Sequence, residues 1–170
     1  HVGDRLGLPN GWLNTDFMKT SSYTPKLIQY SKYYKTFSNV VRVRTVSAEY
    51  LIVMKLMAGR QYKNDLSDVV GILLEQQKNG KKIHLDDIKR VADELYGGYD
   101  KIPESSRIFI EATYQNLDLE ELYKKIREDE RQNKDILLEF QDHYPEVLNG
   151  DNLADILKAA KARKNATFPP

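Results

Sequence analysis

The chain has 170 residues, 41% hydrophobic and 30% charged, with no Cys and a net charge of +1. That composition supports one packed domain, or one domain with a helical extension, and argues against wholesale disorder. It excludes disulfide scaffolds, thiol catalysis and Cys-ligated zinc. No apolar run approaches the roughly 18 residues that cross a bilayer, and His1, His84 and His143 are too scattered to suggest a His-rich metal site. The charge is uneven: residues 1–82 carry +7, residues 83–149 carry −8 and residues 150–170 carry +2. The first part would suit a phosphate-bearing ligand and the acidic middle would not, although two solvated faces of opposite sign give the same pattern. The chain opens on His1-Val2-Gly3-Asp4 rather than on Met, which reads as a piece of a longer protein.

Residues 1–40 read as irregular. Leu8-Pro9-Asn10-Gly11 is a turn signal, and Trp12-Leu13 behind it is expected to plug into a core. Over 23–37 (YTPKLIQYSKYYKTF) five aromatic residues interleave with lysines. Such a stretch is either a basic patch whose rings stack on nucleic-acid bases or a half-buried strand rich in Tyr. The segment 40–46 (VVRVRTV) predicts a strand, with Val41, Val43 and Thr45 on one side, Arg42, Arg44 and Val46 on the other, and one face turned to the core. Ser47 is expected to N-cap a helix over 48–58 that stops at Gly59.

Apolar residues at helical spacing predict further helices at about 64–78, 85–96 and 104–115. Residues 118–143 read as one long helix or as two with a bend around 131–134. A last helix carries Leu153, Ile156, Leu157 and Ala160, and the tail from 163 to 170 is expected to be loose. The order points to an α+β fold, a small mixed sheet followed by a mainly helical bundle, with a boundary between 1–82 and 83–170 where the charge changes sign.

The most informative stretch is 47–70. From Tyr50 to Ala58 every residue except Lys55 is apolar, and a helix apolar nearly all round is buried. A buried ammonium must reach water, a carboxylate or an anionic ligand. Asp65 and Asp68 stand at i and i+3 on the next helix, and a short turn over 59–63 would bring them back to Lys55. That geometry predicts Lys55 with Asp68 and Arg60 with Asp65. Either the four form a structural staple between two helices, or the cations hold phosphate oxygens while the acids orient them or help to hold a metal.

The pattern Arg42-Val43, Ser47-Ala48-Glu49-x-Leu51, Lys55-Leu56-x-Ala58-x-Arg60 and Asp65-x-x-Asp68 resembles the later part of a nucleotidyltransferase-like domain. The group it resembles includes the AbiEii-type toxins of bacterial toxin–antitoxin systems and their uncharacterised relatives. The segment Leu6-Gly7-Leu8-Pro9-x-Gly11-Trp12-Leu13-Asn14 is similar to what precedes the strand in those relatives, so the likeness covers about residues 2–75. It implies a polymerase-β-like core in a cytoplasmic bacterial protein. Such a core uses Mg2+ and a nucleoside triphosphate, with RNA or protein as acceptor and no membrane. Lys55 and Asp68 would be the catalytic pair, Lys55 facing phosphate and Asp68 orienting it, while Arg60 and Asp65 would bind substrate. The Gly-Ser turn and the Asp-x-Asp pair that hold the two metals in such enzymes have no counterpart in this sequence. The alternative is a non-enzymatic helical interaction module in which Lys55, Arg60, Asp65 and Asp68 are structural.

Other constellations carry less. Glu120-Glu121 and Glu128-Asp129-Glu130 lie among Lys124, Lys125, Arg127 and Arg131 at helical spacing and read as a solvated, ion-paired face. Asp86-Asp87 suits a first helical turn, and Asp151 a cap. The basic last helix, with Lys158, Lys161, Arg163 and Lys164, would suit nucleic acid or an acidic partner, or merely complement the helix dipole.

Overall fold

The computed structural model describes residues 16–148 and 152–167 together with Gly7, with side chains as far as residue 163. The turn at 8–11, Trp12-Leu13 and Asp151 lie outside the described residues. A 3-10 turn at Asp16–Lys19 precedes α1 (Leu27–Tyr30), β1 (Lys32–Phe37), β2 (Val41–Thr45), α2 (Ala48–Ala58) and α3 (Asp65–Lys78). Then come α4 (Leu85–Tyr96), a 3-10 turn at Tyr99–Lys101, α5 (Glu104–Gln115), α6 (Leu119–His143) and α7 (Leu153–Thr167). Seven α-helices and one two-stranded antiparallel ribbon make the described residues α+β, with the sheet first and the helices after it.

Three local expectations change, and the choice between one helix and two over 118–143 resolves to one. Residues 27–37 are not irregular: they form α1 and β1, and β1 pairs with β2 through a hairpin whose tip, Ser38 and Asn39, takes positive φ at both positions. Two positive φ values match the twist of a tight hairpin turn. β2 does not turn a face to the core, because among the described residues no helix covers the ribbon, and only Thr36 and Val43 of its two strands are even half-buried. The segment 119–143 is one continuous helix, and the last helix runs on through the expected loose tail to Thr167. Asp118 caps the long helix by accepting from the Glu121 amide at 2.9 Å, while Asp87 reaches back to the His84 amide at the start of α4.

The core is built on α2. Its Ile52, Val53 and Leu56 are fully buried and share one cluster with Val69 of α3, Ile88, Val91 and Leu95 of α4, Ile102, and Ile110 of α5. Residues from both sides of the charge reversal at 82 therefore meet in this cluster. Polar pins tie the layers. The Tyr50 hydroxyl donates to Glu94 on α4 at 2.5 Å, and burial followed by the Glu94 carboxylate pushes its pKa up to about 12.

Gly59 closes α2 in the left-handed region (φ +52), donating its amide to the Lys55 carbonyl at 2.8 Å. A Cβ at this position would stand 2.5 Å from the buried Ser106 Oγ on α5. Gly59→Ala is therefore expected to cost about 2–4 kcal/mol, strain at positive φ adding to the clash. Pairing it with Ser106→Ala should remove the clash and leave roughly 1–2 kcal/mol of backbone strain, measured by urea denaturation.

Candidate functional site

The turn over 59–64 folds α3 back on α2, and the first turn of α3 carries Asp65 and Asp68 towards Lys55 in the last turn of α2. The four residues singled out by spacing come together as one network. Lys55 Nζ lies 2.7 Å from Asp68 Oδ2 and 3.2 Å from Asp65 Oδ1. Arg60 grips Asp65 with Nε donating to Oδ2 at 2.7 Å and Nη2 to Oδ1 at 3.2 Å, and the Arg60 amide adds a third bond at 3.3 Å. Both expected pairs are present, and Asp65 joins them because it also accepts from Lys55.

The members differ in burial, and that difference sets their roles. Asp65 is 1% exposed, while Lys55 and Asp68 are each more than a third exposed and Arg60 more so. Burial alone would raise the Asp65 pKa, but Arg60 and then Lys55 more than reverse this and hold it below the usual aspartate value. Burial likewise opposes the charge on Lys55, yet its bonds to Asp68 and Asp65 keep its pKa above that of an ordinary lysine.

Lys55 and Asp68 open on a groove of about 620 Å³ between α2, α3 and α6, floored by Leu51, Ile72 and the Tyr123 ring. Arg60 lines a second groove of about 520 Å³, to which α7 adds Lys158 and Lys161. The two cations thus serve one buried carboxylate, each at the edge of a different groove.

Spacing did not point to Glu130 and Asn133. Glu130, expected on a solvated face, is 3% exposed. Its Oε1 accepts from the Leu66 and Ser67 amides at 2.9 and 3.3 Å, so a side chain of α6 caps the first turn of α3. Asn133, one turn on, donates to the Gln61 carbonyl at 2.7 Å and steadies the 59–64 turn. The available signal was position: Tyr123, Ile126, Glu130, Asn133, Leu137 and Phe140 alternate steps of three and four, placing both polar residues on the buried stripe. Burial raises the Glu130 pKa, with the negative charge of Asp65 adding to it, against the bonds from Ser67 and the two amides.

Among the described residues no group of three or more His, Asp or Glu side chains is arranged to hold a metal ion. Asp65 is engaged by Arg60 and Lys55, and Asp68 by Lys55. No described helix is long and apolar enough to cross a membrane. Set against known proteins, the chain matches no family model, no curated protein and no solved structure.

Proposed function

We propose that this chain is the later part of a cytoplasmic bacterial nucleotidyltransferase-like protein, in which Lys55 meets the phosphates of a nucleoside triphosphate. The metal-binding carboxylates of the transfer step come from outside these residues. The observation that carries the reading is that Lys55, paired with Asp65 and Asp68, stands with Asp68 at the rim of an open groove. Asp65 is held by Arg60, whereas Asp68 is half-exposed and free to turn to water. An entering phosphate therefore competes for Lys55 with Asp68 and with the longer contact to Asp65, and Asp68 keeps the ammonium aimed until then.

The test is titration of the chain with magnesium–ATP and the other nucleoside triphosphates, followed by NMR or calorimetry. Millimolar binding is expected. Lys55→Met should abolish it at a cost of about 1 kcal/mol or less in stability, since Asp65 retains Arg60 and the lysine is part-exposed. Asp68→Asn should retain or strengthen it. The near-complete burial of Asp65 favours a second reading, a helical interaction module with a purely structural network. Absence of binding at millimolar nucleotide, with a marked loss of melting temperature in Lys55→Met, would establish that second reading instead.

A further inference from the structure

We infer that the β1–β2 ribbon is a binding surface for single-stranded nucleic acid. From Phe17 to Ala48 the chain contains six cations and no acidic residue. The ribbon stands at the centre of that stretch with its rings uncovered: Tyr33, Tyr34 and Phe37 are 58%, 65% and 45% exposed. A two-stranded ribbon with neither face covered is marginal by itself, and aromatic rings so exposed contribute little to a core. Their place is explained by what they present outwards.

The pairing fixes what each side offers. Lys35 lies opposite Val43 and Phe37 opposite Val41 on one side; Tyr33 lies opposite Arg44 and Thr36 opposite Arg42 on the other, with a bulge at Tyr34 restoring the register. The side-chain contacts agree: Lys35 Nζ sits 5.2 Å from the Phe37 ring centre, and the Tyr33 hydroxyl donates to Thr36 at 3.1 Å. Each side therefore has a ring beside a cation. Arg44 is already engaged, its guanidinium donating to Ser31 and to the Ile28 carbonyl at the end of α1, which anchors the base of the ribbon. Lys32, Lys35 and Arg42 form no ion pair among the described residues and remain for a ligand.

The charge identifies the partner as a polyanion, and the rings identify it as one with flat apolar surfaces between the charges. A single polynucleotide strand has both, and the side that carries Lys32, Lys35 and Phe37 offers it two phosphate contacts and a ring for a base. An acidic protein surface would answer the cations and leave the rings in water. The inference does not rest on the nucleotide reading of Lys55, which lies on a different element.

The experiment is fluorescence anisotropy of labelled twelve-residue oligo-U and oligo-dT with the whole chain, over a range of salt. Binding should weaken with salt with a logarithmic slope near −1.4, about two phosphates being neutralised on a single strand. Phe37→Ala should lower affinity about five- to 150-fold, whereas Tyr33→Ala, on the other side of the ribbon, should change it little. Lys32→Glu and Lys35→Glu together should abolish binding, while the circular-dichroism melt stays that of the parent because the substituted side chains are exposed. Lys55→Met should bind the oligonucleotides like the parent, which separates failure of this inference from failure of the nucleotide reading. A preference between the two oligomers assigns RNA or DNA within the proposal. No binding, salt-independent binding, equal competition by duplex, or a dimer that the same ribbon substitutions dissociate would each overturn it.

Discussion

Asp65→Ala is expected to lower the unfolding free energy by about 3 kcal/mol at neutral pH, the largest single effect in the network. Removing one partner of a buried ion pair commonly costs about 3–5 kcal/mol, because the other charge is left unanswered. The lower end applies because Arg60 and Lys55, both more than a third exposed, are able to turn to water. The pH dependence has a definite sign. Asp65 has a folded-state pKa below the ordinary value, so its contribution is fully present above the unfolded pKa of about 3.9 and is lost as pH falls through the depressed folded value. Urea denaturation between pH 7 and pH 2.5 should therefore show the parent losing stability at the acid end more steeply than Asp65→Ala. Adding Arg60→Met to Asp65→Ala should recover part of the loss, since the unanswered guanidinium is then gone. Equal acid sensitivity in parent and Asp65→Ala would show that the network contributes nothing measurable.

Most of the helices, and the pairing of Lys55 with Asp68 and Arg60 with Asp65, were legible because each rests on a local rule. A lone lysine in an apolar helix, a glycine stop, a short turn and acids at i and i+3 constrain one another within some 20 residues. The ribbon was harder to read. Alternation in 40–46 announces a strand, but whether a face is covered depends on what packs over it, and no pattern in the strand encodes that. The same residues that argue for a half-buried strand, Tyr33 and Tyr34, stand in solvent. Glu130 was lost for a related reason. Its neighbours Glu128 and Arg131 do form the exposed ion pair that composition suggests, with Nη2 to Oε1 at 2.7 Å, and only the register of the whole helix separates Glu130 from them. Its partners, the amides of Leu66 and Ser67, lie more than 60 residues away, a distance at which spacing rules say nothing.

That long-range cap yields the second large effect. Glu130→Ala should cost about 2–4 kcal/mol, because two amides in the first turn of α3 lose their acceptor and a buried side chain leaves a void. Glu130→Gln keeps an acceptor at that point and removes the charge. The sign here is opposite to that of Asp65. Glu130 has a folded-state pKa above its ordinary value, so the stability linked to its neutral form is present below about 4.3 and declines as pH rises through the raised folded value. Glu130→Gln does not titrate, so its stability relative to the parent should be higher at pH 7 than at pH 4, as followed by denaturant unfolding at both. The two carboxylates also oppose each other across the start of α3, where the helix dipole attracts both. Part of the shift at Glu130 comes from the charge on Asp65. Asp65→Asn should therefore bring the Glu130 pKa down, and the gain from Glu130→Gln should be smaller in that background than in the parent. A double-mutant cycle that closes with zero coupling would mean that the two acids act separately, and that Glu130 is held above its ordinary value by burial alone.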